Sequence, residues 1–180
     1  MLIRKTDGFA LIDLIFVCGI IGVLCATALP RLLMARQAAT ATSAIANLRT
    51  INSAELSFAL TCGGGFYATT LPTLGTAPAG AGIDTAFISP DLAGAVSVIK
   101  SGYLVQLDGI PYAGSPLPCN GGRSGDSSRG YAAAADPSEP NNFRFFATNA
   151  DGVIYEDSAS MFAAMPELGA PVSGAVLNHW

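Results

Sequence analysis

Residues 8–30 read GFALIDLIFVCGIIGVLCATALP, and this stretch decides the architecture of the chain. From Phe9 to Pro30 the only charged side chain is Asp13. A helix of this length extends about 33 Å, which is enough to cross the hydrocarbon core of a bilayer. A carboxylate inside such a segment costs about 2.5–3.5 kcal/mol, so Asp13 is itself a candidate functional residue.

The two cations before this stretch, Arg4 and Lys5, set its orientation. Positive charge is retained in the cytoplasm, so we expect the bulk of the chain outside it. Two ordinary interpretations of the segment stay open. One is a secretory signal cut near Ala26-Thr27-Ala28, and the other is a plain signal anchor. Neither of them gives Asp13 a role.

The sequence GFALIDLIFVCGIIGVLCATALPRLL resembles the prepilin signature of type IV pilins and type II secretion pseudopilins. The resemblance implies that a prepilin peptidase removes a leader, residues 1–8, by cutting between Gly8 and Phe9. It also implies that the new terminal Phe9 is N-methylated. Gly22 and Pro30 stand where the family often has residues that weaken the helix.

Asp13 stands at the fifth position after that cleavage, where the family normally has glutamate, and Ala10 replaces the usual threonine or serine. We expect Asp13 of one subunit to accept hydrogen bonds from the Phe9 amine of its neighbour. That pairing selects the register of a bundle, because an unpaired buried charge is costly. The alternative is that Asp13 folds back onto its own N-terminus, since positions i and i+4 share a helix face.

The helical pattern continues beyond the apolar run, since residues 31–60 lack glycine and proline. We predict one helix over residues 9–60. It has a transmembrane or assembly half, residues 9–30, and an amphipathic half, residues 31–61. The apolar positions recur at helical spacing as Ala41, Ile45, Leu48, Ile51 and Phe58, and Arg49, Asn52 and Glu55 are predicted to lie off that stripe.

Residues 62–180 are predicted to form the globular part of a pilin-like α+β fold. Residues 62–102 are expected to be a connecting loop containing a short helix from Ser89 to Ile99. Residues 103–157 carry the signals of three to four antiparallel strands, and residues 158–180 form a C-terminal tail. The predicted strands are Tyr103–Leu107, Tyr131–Ala135, Phe143–Thr148 and Val153–Glu156, with a hairpin turn at Asn149-Ala150-Asp151-Gly152.

The four cysteines fall into two pairs. Cys18 and Cys25 lie seven residues apart in the apolar run, so they share a helix face but cannot reach each other. Cys62 and Cys119 lie in loops rich in glycine or proline. If this part of the chain is exported, we expect a disulfide between Cys62 and Cys119.

The globular part offers little for catalysis or for nucleic acid. Residues 62–180 have four cations and ten acids, so DNA or RNA would be repelled. The single histidine, His179, has no evident partner. Asp151 and Glu156-Asp157 are possible calcium ligands, but their spacing is not that of a ligand loop. We therefore expect no catalytic, cofactor-binding or metal-ligating residues, and no enzymatic activity.

These features together predict a structural subunit of a type IV pilus-like filament, a homopolymer joined through the N-terminal helix. The resemblance implies a prepilin peptidase, an assembly platform and an ATPase as partners. It places the precursor in the inner membrane and the filament at the cell surface or in the periplasm. One alternative is a major pseudopilin of type II secretion. An alternative of another class is a membrane-anchored periplasmic enzyme or binding protein.

Overall fold

The computed structural model describes residues 7–82 and 85–177, and side chains from residue 11 onward. The chain divides into two compact units, Met1–Ala39 and Thr40–Trp180. Helix α1, Asp7–Thr61, supplies most of the first unit and one layer of the second. Beyond its last residue the chain turns through Gly64 and Gly65, which both adopt positive φ, and the Gly65 N–H donates to the Ala59 carbonyl at 2.8 Å.

Thr40–Trp180 has an α+β layout. Two short helices follow α1, and then a six-stranded antiparallel sheet runs in chain order from β1 to β6. The helices are α2, Leu71–Leu74, and α3, Pro90–Ala93. The strands are β1, Ser97–Lys100; β2, Tyr103–Asp108; β3, Ala132–Pro137; β4, Phe145–Asn149; β5, Ile154–Asp157; and β6, Ala175–Val176.

The sheet differs from the prediction of three to four strands at both of its edges. The helix expected from Ser89 to Ile99 is a single turn, α3, and β1 begins at Ser97. Ser101 and Gly102 have φ values of 52° and 80°, the backbone that a two-residue hairpin turn requires, so β1 folds back onto β2. At the other edge the C-terminal tail adds β6 to β5.

The core lies between α1 and the inner face of the sheet. The predicted apolar positions of α1 are all buried there, which confirms that part of the helical pattern. They meet large side chains from the central strands and from the segment before β1; these are Tyr103, Val105, Leu107, Tyr131, Phe146, Leu71, Leu74, Ile88 and Leu92.

The outer face of the sheet is also covered. The tail between β5 and β6 contains a 3₁₀ turn, Phe162–Ala164, and places Met161 and Met165 against Ala134 and Tyr155. Strand β3 consequently has Ala133 and Ala135 on the helix side and Ala132 and Ala134 on the tail side. Small side chains on both faces let both layers approach the sheet closely.

Candidate functional site

The apolar half of α1 has fourteen large hydrophobic side chains exposed among residues 11–34. Their exposure ranges from 45% at Val17 to 71% at Ile12. Contiguous apolar surface of this extent marks an interaction site in a soluble protein or a segment that enters lipid. By length and composition α1 is one helix able to cross a membrane, with a mean hydropathy of 2.5 over its best window, and none of that window is buried.

Charged residues are almost absent from this surface. Among residues 11–35 only Asp13 and Arg31 carry a charge, and Arg31 lies at the far end. The Asp13 side chain is exposed, and its carboxylate makes no ion pair or hydrogen bond to any residue that the structure describes. Of the remaining polar groups, Thr27 donates its hydroxyl to the Leu24 carbonyl at 3.0 Å, so it is satisfied within the helix. The side chains of residues 11–30 are therefore compatible with a dry environment except at Asp13.

The predicted cleavage position lies at the border of what the structure describes. Gly8 and Phe9 belong to the first turns of α1, but the Phe9 side chain is outside the described set, and residues 1–6 of the predicted leader are outside it altogether. Phe9 precedes Asp13 by four residues, so the two positions share a helix face. Both pairings considered for Asp13, within one chain or between copies, remain predictions.

Gly22 and Pro30 are both inside α1, which is helical from Asp7 to Thr61. A Cβ at Gly22 would meet no atom within 4 Å, so packing within the chain does not require glycine there. Pro30 has no N–H to donate, which leaves one carbonyl of the preceding turn without its helical partner. Weakening of the helix at these two residues stays a prediction.

The amphipathic half of α1 is attached to the sheet by a polar network around Asn52. The Asn52 Nδ2 donates to Thr148 Oγ1 at 3.0 Å and to the Gly152 carbonyl at 3.2 Å. The Tyr131 hydroxyl donates to Asn52 Oδ1 at 2.9 Å. Asn52 thus joins α1 to Tyr131 just before β3, to β4 and to the turn between β4 and β5. The partners are 79 to 100 residues apart in the sequence, so local sequence patterns cannot predict these contacts.

Glu55 was predicted to lie off the apolar stripe of α1, and that prediction is wrong. Its side chain is fully buried. The Ala68 N–H donates to Glu55 Oε2 at 2.8 Å, whereas Oε1 has no hydrogen-bond partner. Burial raises the pKa of Glu55 to about 8, opposed by the hydrogen bond from Ala68. Glu55 is thus held largely protonated at neutral pH and ties α1 to the segment that follows it.

The predicted disulfide is present between Cys62 and Cys119. Cys62 lies directly after α1, and the bond fastens the loop before β3 to the end of the helix. The Cys119 N–H also donates to the Cys62 carbonyl at 3.2 Å. Cys18 and Cys25 are free and exposed on the apolar half of α1.

The carboxylates considered for calcium have other partners. Asp151 Oδ2 accepts from the Gly169 N–H at 2.7 Å, and Glu156 binds the Arg144 guanidinium through both of its oxygens. Within residues 7–82 and 85–177 no group of three His, Cys, Asp or Glu side chains has the geometry to hold a metal. His179 lies outside the described residues.

Comparison with protein-family models, with curated proteins and with solved structures finds no match to this chain.

Proposed function

We propose that this chain is the structural subunit of a type IV pilus-like filament, made as a membrane precursor and polymerised through the apolar half of α1. Prepilin peptidase removes residues 1–8 and exposes the Phe9 amine, which is then methylated. An assembly platform and its ATPase move the subunits from the inner membrane into a filament at the cell surface or in the periplasm. The function is assembly, with no substrate turned over.

The observation that carries the proposal is the exposed apolar surface of residues 11–34 on a chain that also has a packed α+β domain. Fully burying one such Leu, Ile or Phe side chain contributes about 1.5–3 kcal/mol. Lipid covers these apolar side chains in the precursor, and neighbouring copies of the helix cover them in the filament. Both environments bury the same side chains, so transfer between them costs little for the apolar residues.

Asp13 behaves differently in the two environments. In a dry bundle its carboxylate needs a cationic partner, and the Phe9 amine of a neighbouring copy is a suitable one. A misplaced leucine still finds apolar contact, whereas a misplaced Asp13 leaves a buried charge unpaired. We infer that apolar packing holds the filament together and that Asp13 fixes its axial register.

Intact-mass analysis of the purified chain together with electron microscopy of surface fibres tests the proposal. The expected mature chain lacks residues 1–8 and carries one methyl group on Phe9, and fibres composed of this chain are expected. A mature terminus near Thr27 or Ala28 indicates a secretory signal and rejects the proposal.

Two other functions give different results in the same work. A major pseudopilin of type II secretion is processed in the same way, but its loss produces a secretion defect without long surface fibres. A membrane-anchored periplasmic enzyme or binding protein keeps its activity in a fragment beginning near Arg31 and has no requirement for Asp13.

A further inference from the structure

One side of α1 within residues 40–61 remains outside the core. Its exposed positions recur at intervals of three and four residues, which places them on one line along the helix. We call this line the outer stripe; its residues are Thr42, Ala46, Arg49, Ser53, Leu56 and Leu60.

The composition of the outer stripe is unusual for a helix face in water. Leu56 and Leu60 are 55% and 75% exposed, and the polar members other than Arg49 have short side chains. Solvent faces of amphipathic helices are normally rich in charge. Between residues 37 and 61 the only charged side chains are Arg49 and the buried Glu55.

Two shallow hollows lie on either side of Arg49. One, of ≈ 450 Å³, is lined by Thr42, Ile45, Ala46 and Arg49. The other, of ≈ 380 Å³, is lined by Arg49, Thr50, Ser53, Ala54, Ser57 and Phe87. Short side chains along the stripe leave space that side chains of a partner can fill, with Arg49 at the centre of the surface.

Charge identifies the partner. Residues 62–180 carry four cations against ten acids, so they have a net charge of −6. Three of these acids, Asp108, Asp126 and Asp151, are exposed and form no ion pair among the residues that the structure describes. Residues 62–180 of a second copy of this chain therefore offer exposed carboxylates with which Arg49 can pair.

We propose that the outer stripe is a contact surface for residues 62–180 of a second copy, with Leu56 and Leu60 covered and Arg49 facing acidic side chains of that copy. This inference rests on the proposed filament and extends its packing from residue 34 to residue 60. Leu56 and Leu60 supply apolar burial, and Arg49 selects the acidic surface and its orientation.

A photoreactive benzoylphenylalanine in place of Leu56 tests the contact in the full-length chain assembled in its native membrane and fibres. Irradiation is expected to give a covalent dimer whose cross-linked peptide maps within residues 62–180 of the second copy. Fibres that form normally but give no dimer, or give cross-links only to the apolar half of α1, overturn the inference and leave the filament proposal standing. If the cross-link maps within residues 62–180 but the chain forms no fibres, the contact is supported and the filament proposal is overturned.

Charge reversal gives an independent test with a matched control. Arg49→Glu is expected to lower the fibre yield at least tenfold, whereas Arg123→Glu, which changes an exposed arginine of the loop before β3, lowers it less than twofold. Circular dichroism of the detergent-solubilised chain checks folding, and Arg49→Gln provides a milder variant. Equal yields from the Arg49 and Arg123 variants overturn the role of Arg49.

Discussion

The Tyr131 hydroxyl donates a hydrogen bond to Asn52 Oδ1 at 2.9 Å, and this contact joins the C-terminal part of α1 to the residue just before β3. Tyr131 is 2% exposed, so the hydroxyl has no access to bulk water. Burial raises the pKa of Tyr131, with a further contribution from Glu55, so the phenol stays protonated and remains a donor. The amphipathic half of α1 is therefore fixed on the sheet by directional bonds as well as by apolar packing.

Removing the Asn52 side chain is expected to destabilise Thr40–Trp180. Asn52→Ala leaves the buried Tyr131 hydroxyl without its acceptor, and an unsatisfied buried polar group costs about 1–3 kcal/mol. Urea unfolding of the full chain in detergent, followed by tyrosine fluorescence, measures the loss. Ser53→Ala, at the next and exposed position, is the control and should change the free energy of unfolding by less than about 0.5 kcal/mol.

Glu55 is expected to make stability depend on pH. Its pKa is raised from 4.5 to about 8 in the folded chain, so folding takes up a proton between these values. The contribution is therefore fully present below pH 4.5 and is lost as the pH rises through 8, by at most about 1.4 kcal/mol per pH unit. Glu55→Gln removes this titration.

The free energy of unfolding of the two proteins, measured from pH 5 to pH 9, tests the assignment. The wild-type chain should lose stability over this range relative to Glu55→Gln, and the difference should level off above pH 8. Parallel curves for the two proteins would show that Glu55 does not titrate in this range.

Loss of the disulfide is expected to destabilise the chain by about 4 kcal/mol on the chain-entropy account of loop closure. Cys119→Ser should show this loss in urea unfolding under oxidising conditions. The double variant Cys18→Ala/Cys25→Ala is the matched control, because it removes two cysteines that form no bond. A similar loss of stability in both variants would contradict the role of the Cys62–Cys119 bond.

Asp13 is expected to matter for assembly and not for membrane insertion. Asp13→Ala removes the charge that must find a partner in a dry bundle, so fibres should be lost or reduced at least tenfold while the precursor stays in the membrane fraction. Leu14→Ala, one position further along the same apolar surface, should lower fibre yield only modestly. Normal fibres from Asp13→Ala would remove the register argument.

The buried side of α1 and the turn between β4 and β5 could be predicted from the sequence, because both depend on residues close together in the chain. The spacing of Ala41, Ile45 and Leu48 identified the buried side of α1, and Asn149-Ala150-Asp151-Gly152 identified the turn between β4 and β5. The Gly152 N–H indeed donates to the Asn149 carbonyl at 2.9 Å. Periodicity and turn chemistry are set by neighbours in the chain, so they can be read without the tertiary structure.

The edge strands escaped prediction because neither carries a strong signal. Strand β1 reads Ser-Val-Ile-Lys, so its two apolar residues are adjacent and do not alternate with polar ones, and the preceding Ser89-Pro90-Asp91 favours a helix. Strand β6 has two residues, both exposed. Their formation depends on pairing with β2 and β5, which lie elsewhere in the chain.

Glu55 could have been found from its spacing. It follows Ile51 by four residues and precedes Phe58 by three, so helical geometry places it on the buried side. Glutamate is usually exposed, so its residue type points the opposite way from its spacing. The hydrogen bond from Ala68 that makes the burial tolerable arises only once the chain has turned back on itself after Cys62.

Met161 and Met165, in the segment between β5 and β6, limit which parts of the domain can change in sequence. With α1 on one side of the central strands and Met161 and Met165 on the other, β3 and β4 have no face left to present to the surroundings. Mutation can therefore reshape the exposed peripheral turns more freely, while β3 and β4 stay constrained by the side chains that pack on both of their faces.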